Sequence, residues 1–209
     1  MKRLLLSLFF LLALTLSTNA QDIDGKLCLI RTSPTDKLSD SCGTGFFIAD
    51  NTIVTAYHVV CRYIESDVPL RIEYKDRIYT DVYVLADVKH QDLAIITANI
   101  EGESWLEIAE SEPEVGESVE ANGFSKARWE NYSASGKIVS VKTVTIDSKN
   151  NEYTSIQIAA SVWVDPGMSG GPLLNKEGKV IGILQSKSVK KVESYYTDLS
   201  HIQDAVGGL

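Results

Sequence analysis

The sequence predicts an all-β fold, either a sandwich or a barrel. Short apolar runs rich in Val, Ile and Tyr recur along the chain, and turn residues such as Ala49-Asp50-Asn51 separate them. Strands do not alternate regularly with helices, so a parallel α/β fold is not expected. Only the short piece after His58 and a C-terminal helix from Leu199 to Val206 are expected to be helical.

The predicted strands fall into two groups. They cover Lys26 to Ile30, Gly45 to Ile48, Thr52 to Ala56, Leu70 to Tyr74, Ile78 to Leu85 and Leu93 to Ile96, then Ser118 to Ala121, Ser135 to Val144, Ser155 to Ala160, Pro172 to Leu174, Val180 to Leu184 and Tyr195 to Asp198. Between the groups, Glu101 to Glu117 is acidic and contains Gly102, Pro113 and Gly116, which favours a linker.

Residues 1–20 have the three-part layout of a secretory signal peptide. Met1-Lys2-Arg3 is positively charged, Leu4 to Leu16 is almost wholly apolar, and Ser17 to Ala20 supplies small residues for cleavage after Ala20. The alternative is an uncleaved membrane anchor, but an apolar run of about 13 residues is short for a span that needs roughly 20. We therefore expect residues 21–209 to be secreted or periplasmic and not held in a membrane.

Charge and composition exclude several kinds of partner. The formal net charge is −8, which argues against nucleic acid or an anionic membrane surface. The three cysteines, Cys28, Cys42 and Cys61, and the three histidines show no metal-binding spacing. Neither a metal nor another cofactor is expected, and the oligomeric state is left open.

A glycine-rich segment carries the strongest catalytic signal. Ser169 lies in the pattern Gly-Met-Ser-Gly-Gly, residues 167–171, where small neighbours leave room for a substrate beside the hydroxyl. An attacking serine needs donors for the oxyanion, and backbone N–H groups of a tight turn can supply them. We expect Gly167 and Ser169 to be these donors, because glycine readily adopts the required backbone conformation. The plainer alternative is a glycine-rich turn between two strands.

Two further residues could complete a catalytic triad. His58 ends the apolar run Thr52 to Tyr57, and histidine can accept and return a proton near neutral pH. Asp92 precedes the apolar run Leu93 to Ile96, where its carboxylate could orient the imidazole. Each alone could be an ordinary polar residue beside a strand. Together, the order His58, Asp92, Ser169 is that of chymotrypsin-like proteases and excludes the subtilisin and α/β-hydrolase orders.

Several segments resemble the trypsin-like serine peptidases, and the bacterial HtrA/Deg-type protease domain more than the digestive enzymes. The similar segments are Gly43 to Ile48, Thr55 to Val59, Asp92 to Ile96, Val115 to Val119 with Gly123-Phe124, Ser135 to Ser140 and Gly178 to Ile183. The resemblance implies two six-stranded antiparallel β-barrels with the active site in the cleft between them. Barrel 1, at about 25–105, would carry His58 and Asp92, and barrel 2, at about 115–200, would carry Ser169.

The resemblance also implies a reaction, the hydrolysis of peptide bonds in proteins or peptides through an acyl-enzyme on Ser169. We weigh two alternatives. One is a catalytically silent pseudo-protease that uses the same fold as a protein-binding module. The other is an esterase with the same triad, which would need an apolar lid that the sequence does not show.

Two departures from known members of the family bear on regulation. Met168 stands where digestive enzymes carry the aspartate that binds a new N-terminus, and no matching activation sequence follows Gln21. We expect the oxyanion turn to be held by other contacts or ordered by substrate. HtrA-type proteins usually carry a PDZ domain after the protease, whereas this sequence ends at Leu209, so peptide-gated regulation is not expected.

The family resemblance implies a disulfide as well. Cys42 and Cys61 flank the histidine strand, as the histidine-loop bridge of the trypsin family does, and Cys28 would remain as a buried thiol. On the chain-entropy estimate, closing a loop of about 20 residues would stabilise the fold by roughly 3 kcal/mol.

A pocket for the side chain before the scissile bond is implied in the same way. Its expected lining residues are Trp163, Leu184 and Gln185. Because Trp163 stands where an aspartate would select Lys or Arg, we expect no preference for those residues and a small or medium apolar side chain instead. Alternatively, Trp163 points into the core.

Overall fold

The computed structural model describes residues 23–33, 41–100, 104–148 and 151–207. Within these ranges the chain forms thirteen strands in two antiparallel sheets, with two α-helices and two 3-10 turns. The all-β prediction is therefore confirmed. The predicted signal peptide lies outside the described residues, and no helix inside them is both long and apolar enough to cross a membrane.

The first sheet has seven strands in the order β5-β4-β1-β2-β3-β7-β6. They are β1 (Leu27–Thr32), β2 (Cys42–Ala49), β3 (Thr52–Thr55), β4 (Leu70–Tyr74), β5 (Arg77–Tyr79), β6 (Val82–Val88) and β7 (Leu93–Ala98). The sequence predicts six, because it joins Ile78 to Leu85 into one strand. In the structure β5 pairs with β4 at one edge of the sheet. After Thr80-Asp81 the chain continues as β6, which pairs with β7 and forms the opposite edge.

The second sheet closes into a six-stranded barrel, as predicted. Its strands follow the order β10-β13-β12-β11-β8-β9. They are β8 (Ser118–Ser125), β9 (Glu130–Ser148), β10 (Asn151–Ala160), β11 (Pro172–Leu174), β12 (Val180–Lys187) and β13 (Ser194–Thr197). The loop between β10 and β11 carries Ser169, so the candidate nucleophile belongs to this barrel.

The helices lie where the sequence predicts them. Helix α1 (Tyr57–Ser66) follows β3 almost directly and buries Tyr57, Val59 and Val60. Helix α2 (Leu199–Gly207) follows the second barrel, yet its Ile202 is fully buried in the core of the first sheet. The C-terminal helix therefore ties the two sheets together.

Each sheet has its own apolar core. The larger side chains of the first are Ile30, Phe46, Phe47, Ile53, Ile72, Ile95 and Ile96, and those of the second include Ile138, Ile158, Ile181 and Tyr196. Leu174, Val180 and Ile183 come from the second barrel but pack in the first core. The two sheets therefore meet along a shared apolar surface, which fixes the loops that carry the site against each other.

Candidate active site

A histidine and a carboxylate from the first sheet form a tight pair. His58 is the second residue of α1, and Asp92 follows the 3-10 turn Lys89–Gln91 in a left-handed conformation, with φ 53°. Asp92 Oδ2 lies 2.7 Å from His58 Nδ1, and Asp92 Oδ1 accepts the His58 backbone N–H at 2.8 Å. With Nδ1–H held by the carboxylate, Nε2 is the ring nitrogen left to accept a proton.

The helix itself favours this arrangement. The His58 N–H lies in the first turn of α1, where backbone donors have no partner inside the helix and the dipole attracts negative charge. Asp92 therefore satisfies a helix N-terminus and orients an imidazole with the same carboxylate. The sequence could not reveal that Asp92 caps the helix. Ala56 at the N-cap has no side chain that could form a hydrogen bond, and Asp92 lies 34 residues after His58.

The Ser169 turn packs against the segment that carries His58. Gly170 has φ 84°, and an added methyl group would collide with Thr55 Oγ1 and lie 2.9 Å from the Ala56 nitrogen. Thr55 and Ala56 lead directly into α1. The Gly170 N–H donates to Leu184 O at 2.8 Å, and the Thr44 N–H donates to Ser169 O at 2.7 Å. The turn is thus fixed between both sheets.

Two backbone donors of this turn are unused. Among the described residues, no protein acceptor receives the N–H of Gly167 or of Ser169, whereas the Met168 N–H between them donates to Asp165 O at 3.2 Å. Gly167 adopts φ 98°, a conformation that suits glycine. The turn can therefore offer these two donors to a developing oxyanion.

Thr44 is a site residue that the sequence reasoning missed. Its buried hydroxyl donates to Gly167 O at 2.9 Å and accepts the Phe124 N–H at 2.8 Å. The available signal was a threonine between two glycines in an otherwise apolar buried strand, Gly43 to Ile48.

Asp165 and Met168 hold the turn where digestive enzymes use a salt bridge to a new N-terminus. The Asp165 carboxylate accepts from Ser125 Oγ at 2.7 Å and lies 3.5 Å from Arg128 Nε. The Ser125 hydrogen bond is the main reason that the pKa of Asp165 is lowered. Met168 is fully buried, and its sulfur accepts the Asp165 N–H at 3.3 Å. Contacts inside the chain therefore hold this turn in the structure.

The three residues expected to line the specificity pocket have different environments in the structure. Trp163 is 54% exposed and lines a pocket of about 450 Å³, so it does not point into the core. Leu184 is 3% exposed and belongs to the second core. Gln185 donates to Gln91 O at 3.0 Å and to Thr197 Oγ1 at 2.7 Å, which uses its amide inside the fold.

The link between Gln185 and Gln91 joins the second barrel to the candidate triad. Gln91 O also accepts from Thr197 Oγ1 at 2.7 Å. Since Gln91 directly precedes Asp92, these two bonds from the second barrel fix the backbone that carries the carboxylate.

The expected disulfide is not formed. All three cysteines are free, and Cys61 Sγ lies 3.3 Å from the carbonyl oxygen of His58 in its own helix. The α1 side chain that lies against Gly43, next to Cys42, is Val59. Cys61 follows Val59 by two residues, about 200° around the helix, so its thiol faces away from β2.

The third cysteine is buried, as predicted. Burial raises the pKa of the Cys28 thiol to about 12. Among the residues that the structure describes, no group of three or more His, Cys, Asp or Glu side chains is arranged to hold a metal ion.

Comparison with known proteins agrees with this geometry. Residues 43–183 match the family model described as a trypsin-like peptidase domain. Among curated relatives, a "probable periplasmic serine endoprotease DegP-like" of Hahella chejuensis is 35% identical over 147 residues, which is 69% of this chain and 29% of that protein. The "serine protease Do-like HtrA" of Lactococcus lactis subsp. cremoris is 34% identical over 146 residues, 66% of this chain and 34% of that protein. The chain thus spans about a third of these relatives or less.

A solved structure shares the fold. The active form of the Rv3671c protease from M. tuberculosis superimposes with a TM-score of 0.76 over 88% of this chain and 80% of that one, at 18% sequence identity. At this identity the likeness establishes the chymotrypsin-like architecture and nothing finer.

Proposed function

The chain belongs to the family of trypsin-like peptidases, and from that premise we propose that it is a secreted or periplasmic serine endopeptidase. Its substrates are proteins or peptides, and neither nucleic acid nor a membrane is a partner. In this proposal residues 21–209 are the peptidase domain, with barrel 1 at about 25–105 and barrel 2 at about 115–200. Export is expected from the predicted signal peptide, and N-terminal sequencing of the exported protein should begin at Gln21.

The proposed reaction runs through an acyl-enzyme. Ser169 Oγ attacks the peptide carbonyl carbon while His58 Nε2 takes the hydroxyl proton, and Asp92 stabilises the imidazolium that results. The N–H groups of Gly167 and Ser169 receive the oxyanion. The C–N bond then breaks as His58 returns the proton to the leaving amine. Water, activated by the same histidine, hydrolyses the ester and regenerates Ser169.

One observation carries the proposal. The two hydrogen bonds from His58 to Asp92, at 2.7 and 2.8 Å, fix the imidazole at the segment against which the Ser169 turn packs. A serine hydroxyl is a weak nucleophile without an adjacent base, so an oriented histidine beside it is the feature that the chemistry requires.

Hydrolysis of a quenched fluorescent peptide mixture tests the function. Ser169→Ala should lower the rate at least about a thousandfold, because no covalent intermediate can form. Asp92→Asn should lower it by a similar factor, since the imidazole loses its orientation. Ser118→Ala is the matched control, because Ser118 is exposed at the start of β8. A folded wild-type protein without turnover would favour the silent binding module, and unchanged activity of Ser169→Ala would refute the triad.

A further inference from the structure

The pocket beside Trp163 has two walls, and both lead to the Ser169 turn. One wall, Val162 to Val164, precedes Ser169 by only a few residues. The other contains Lys187, which ends β12 three residues after Leu184. Leu184 O accepts the N–H of Gly170, the residue next to Ser169, at 2.8 Å. Both walls of the pocket are therefore continuous with segments that form or bind the Ser169 turn.

Lys187 reaches across this pocket from one wall to the other. Its Nζ donates to Val164 O at 2.8 Å and lies 5.2 Å from the centre of the Trp163 ring. An ammonium group has three N–H donors. One is used by the carbonyl, and the face of an aromatic ring stabilises a cation without neutralising it. The remaining donors are available to a ligand.

No carboxylate forms an ion pair with this cation in the part of the chain that the structure describes. No acidic side chain there forms an ion pair with Lys187 within 4 Å. Asp165, which follows the opposite wall, interacts electrostatically with Lys187, but its carboxylate accepts hydrogen bonds from Ser125 and Trp163. Glu193 is paired with Lys191 at 2.5 Å. Lys190, on the same rim, is exposed and adds a further positive charge. Although the whole chain carries −8, this pocket has a cationic rim over an apolar base.

We propose that this pocket selects an acidic side chain, glutamate or aspartate, at the residue before the scissile bond, with Lys187 binding its carboxylate. The proposal rests on the peptidase function proposed above and names the substrate class for the same site. The methylene groups of the substrate side chain pack on Trp163 and Val162, while the carboxylate takes the free donors of Lys187. It replaces the expectation of an apolar preference, because the sequence pointed to Trp163 and did not reveal the lysine across from it. A Lys or Arg side chain is repelled by the same charge.

Peptides that differ at one residue test this selection. Four quenched peptides carry Glu, Gln, Leu or Lys before the scissile bond and are otherwise identical. The Glu peptide should have a kcat/KM about tenfold above that of its Gln isostere, and the ratio should fall as salt is added, since the pocket is open to solvent. Lys187→Met should bring the ratio close to one, and Lys187→Glu should favour the Lys peptide. Lys176→Met, a distant exposed lysine, should leave the ratio unchanged.

Labelling of Ser169 by a fluorophosphonate separates this inference from the proposed function. If wild type and Lys187 variants label equally but the wild type cleaves the Leu peptide best, the acidic selection is refuted. If Lys187→Met speeds cleavage of the Glu peptide, Lys187 blocks the pocket and does not bind the substrate carboxylate, and the inference also fails. If the folded wild type neither labels nor cleaves any peptide, the peptidase function fails and the specificity fails with it.

Discussion

Thr44 shows how one buried hydroxyl connects three segments of the site. It donates to Gly167 O in the oxyanion turn, accepts the Phe124 N–H from β8, and its own carbonyl accepts Thr55 Oγ1 at 2.8 Å. None of these partners is close to it in sequence. Side chains of this kind support catalysis without contacting substrate, because a turn that is held in place supplies its donors without reorganising during the reaction.

Replacing Thr44 with valine should damage both stability and turnover. Valine has nearly the shape of threonine but leaves Gly167 O and the Phe124 N–H buried without their partner, which costs about 1–3 kcal/mol. We expect a lower midpoint in urea unfolding and a lower kcat, while Thr44→Ser retains most of both. If Thr44→Val unfolds at the wild-type midpoint and keeps its kcat, the hydroxyl does not hold the turn.

At the scale of elements, the second barrel holds in place the residues that the first sheet contributes to the site. The 3-10 turn Lys89–Gln91 ends at Asp92, and its Gln91 carbonyl is bound by Gln185 on β12 and Thr197 on β13. These bonds link residues about a hundred positions apart, so they form only when the two sheets have packed. Gln185 is in this respect a positioning residue and not the pocket residue that the family resemblance implies.

Gln185→Leu should therefore act on kcat more than on KM. The substitution removes a bond to the backbone that aims Asp92, and small misplacements of catalytic groups are costly, so we expect kcat to fall about tenfold. Gln157→Leu is the control for a weaker effect, since the Gln157 side chain donates to Gln185 Oε1 at 3.3 Å and not to the Gln91 carbonyl. The comparison is read from steady-state kinetics. A rise in KM at constant kcat would instead show that Gln185 binds substrate and does not act by positioning Asp92.

At the scale of the whole molecule, the fold and the chain order of the proposed triad follow from the sequence, whereas most supporting contacts do not. Alternation and turn chemistry predict the strands because these are local signals. The division between β5 and β6 was missed because these two strands, adjacent in sequence, lie at opposite edges of one sheet and pair with different strands. Thr44, Gln185 and Lys187 act through partners distant in sequence, which no local pattern reveals. The predicted Cys42–Cys61 disulfide is wrong because it relied on the position of both cysteines near the histidine in sequence. It did not consider which face of α1 carries Cys61.

The state of the cysteines provides a test of the whole fold. With no bridge present, the free energy of unfolding should be the same with and without reductant, and intact mass after thiol alkylation of the unfolded protein should show three modified cysteines. In the native protein Cys28 should resist alkylation, because it is buried and its pKa is raised to about 12. If the intact mass is two hydrogens below that of the fully reduced protein and the melting temperature falls with reductant, the disulfide is present after all.

The most direct test of the central claim, that His58 and Asp92 activate Ser169, is mass-spectrometric mapping of the adduct formed with a fluorophosphonate. We expect one adduct, on Ser169, formed by the wild type and by Ser118→Ala and absent from a folded His58→Ala protein. A folded wild type that forms no adduct, or an adduct on another residue, would contradict it.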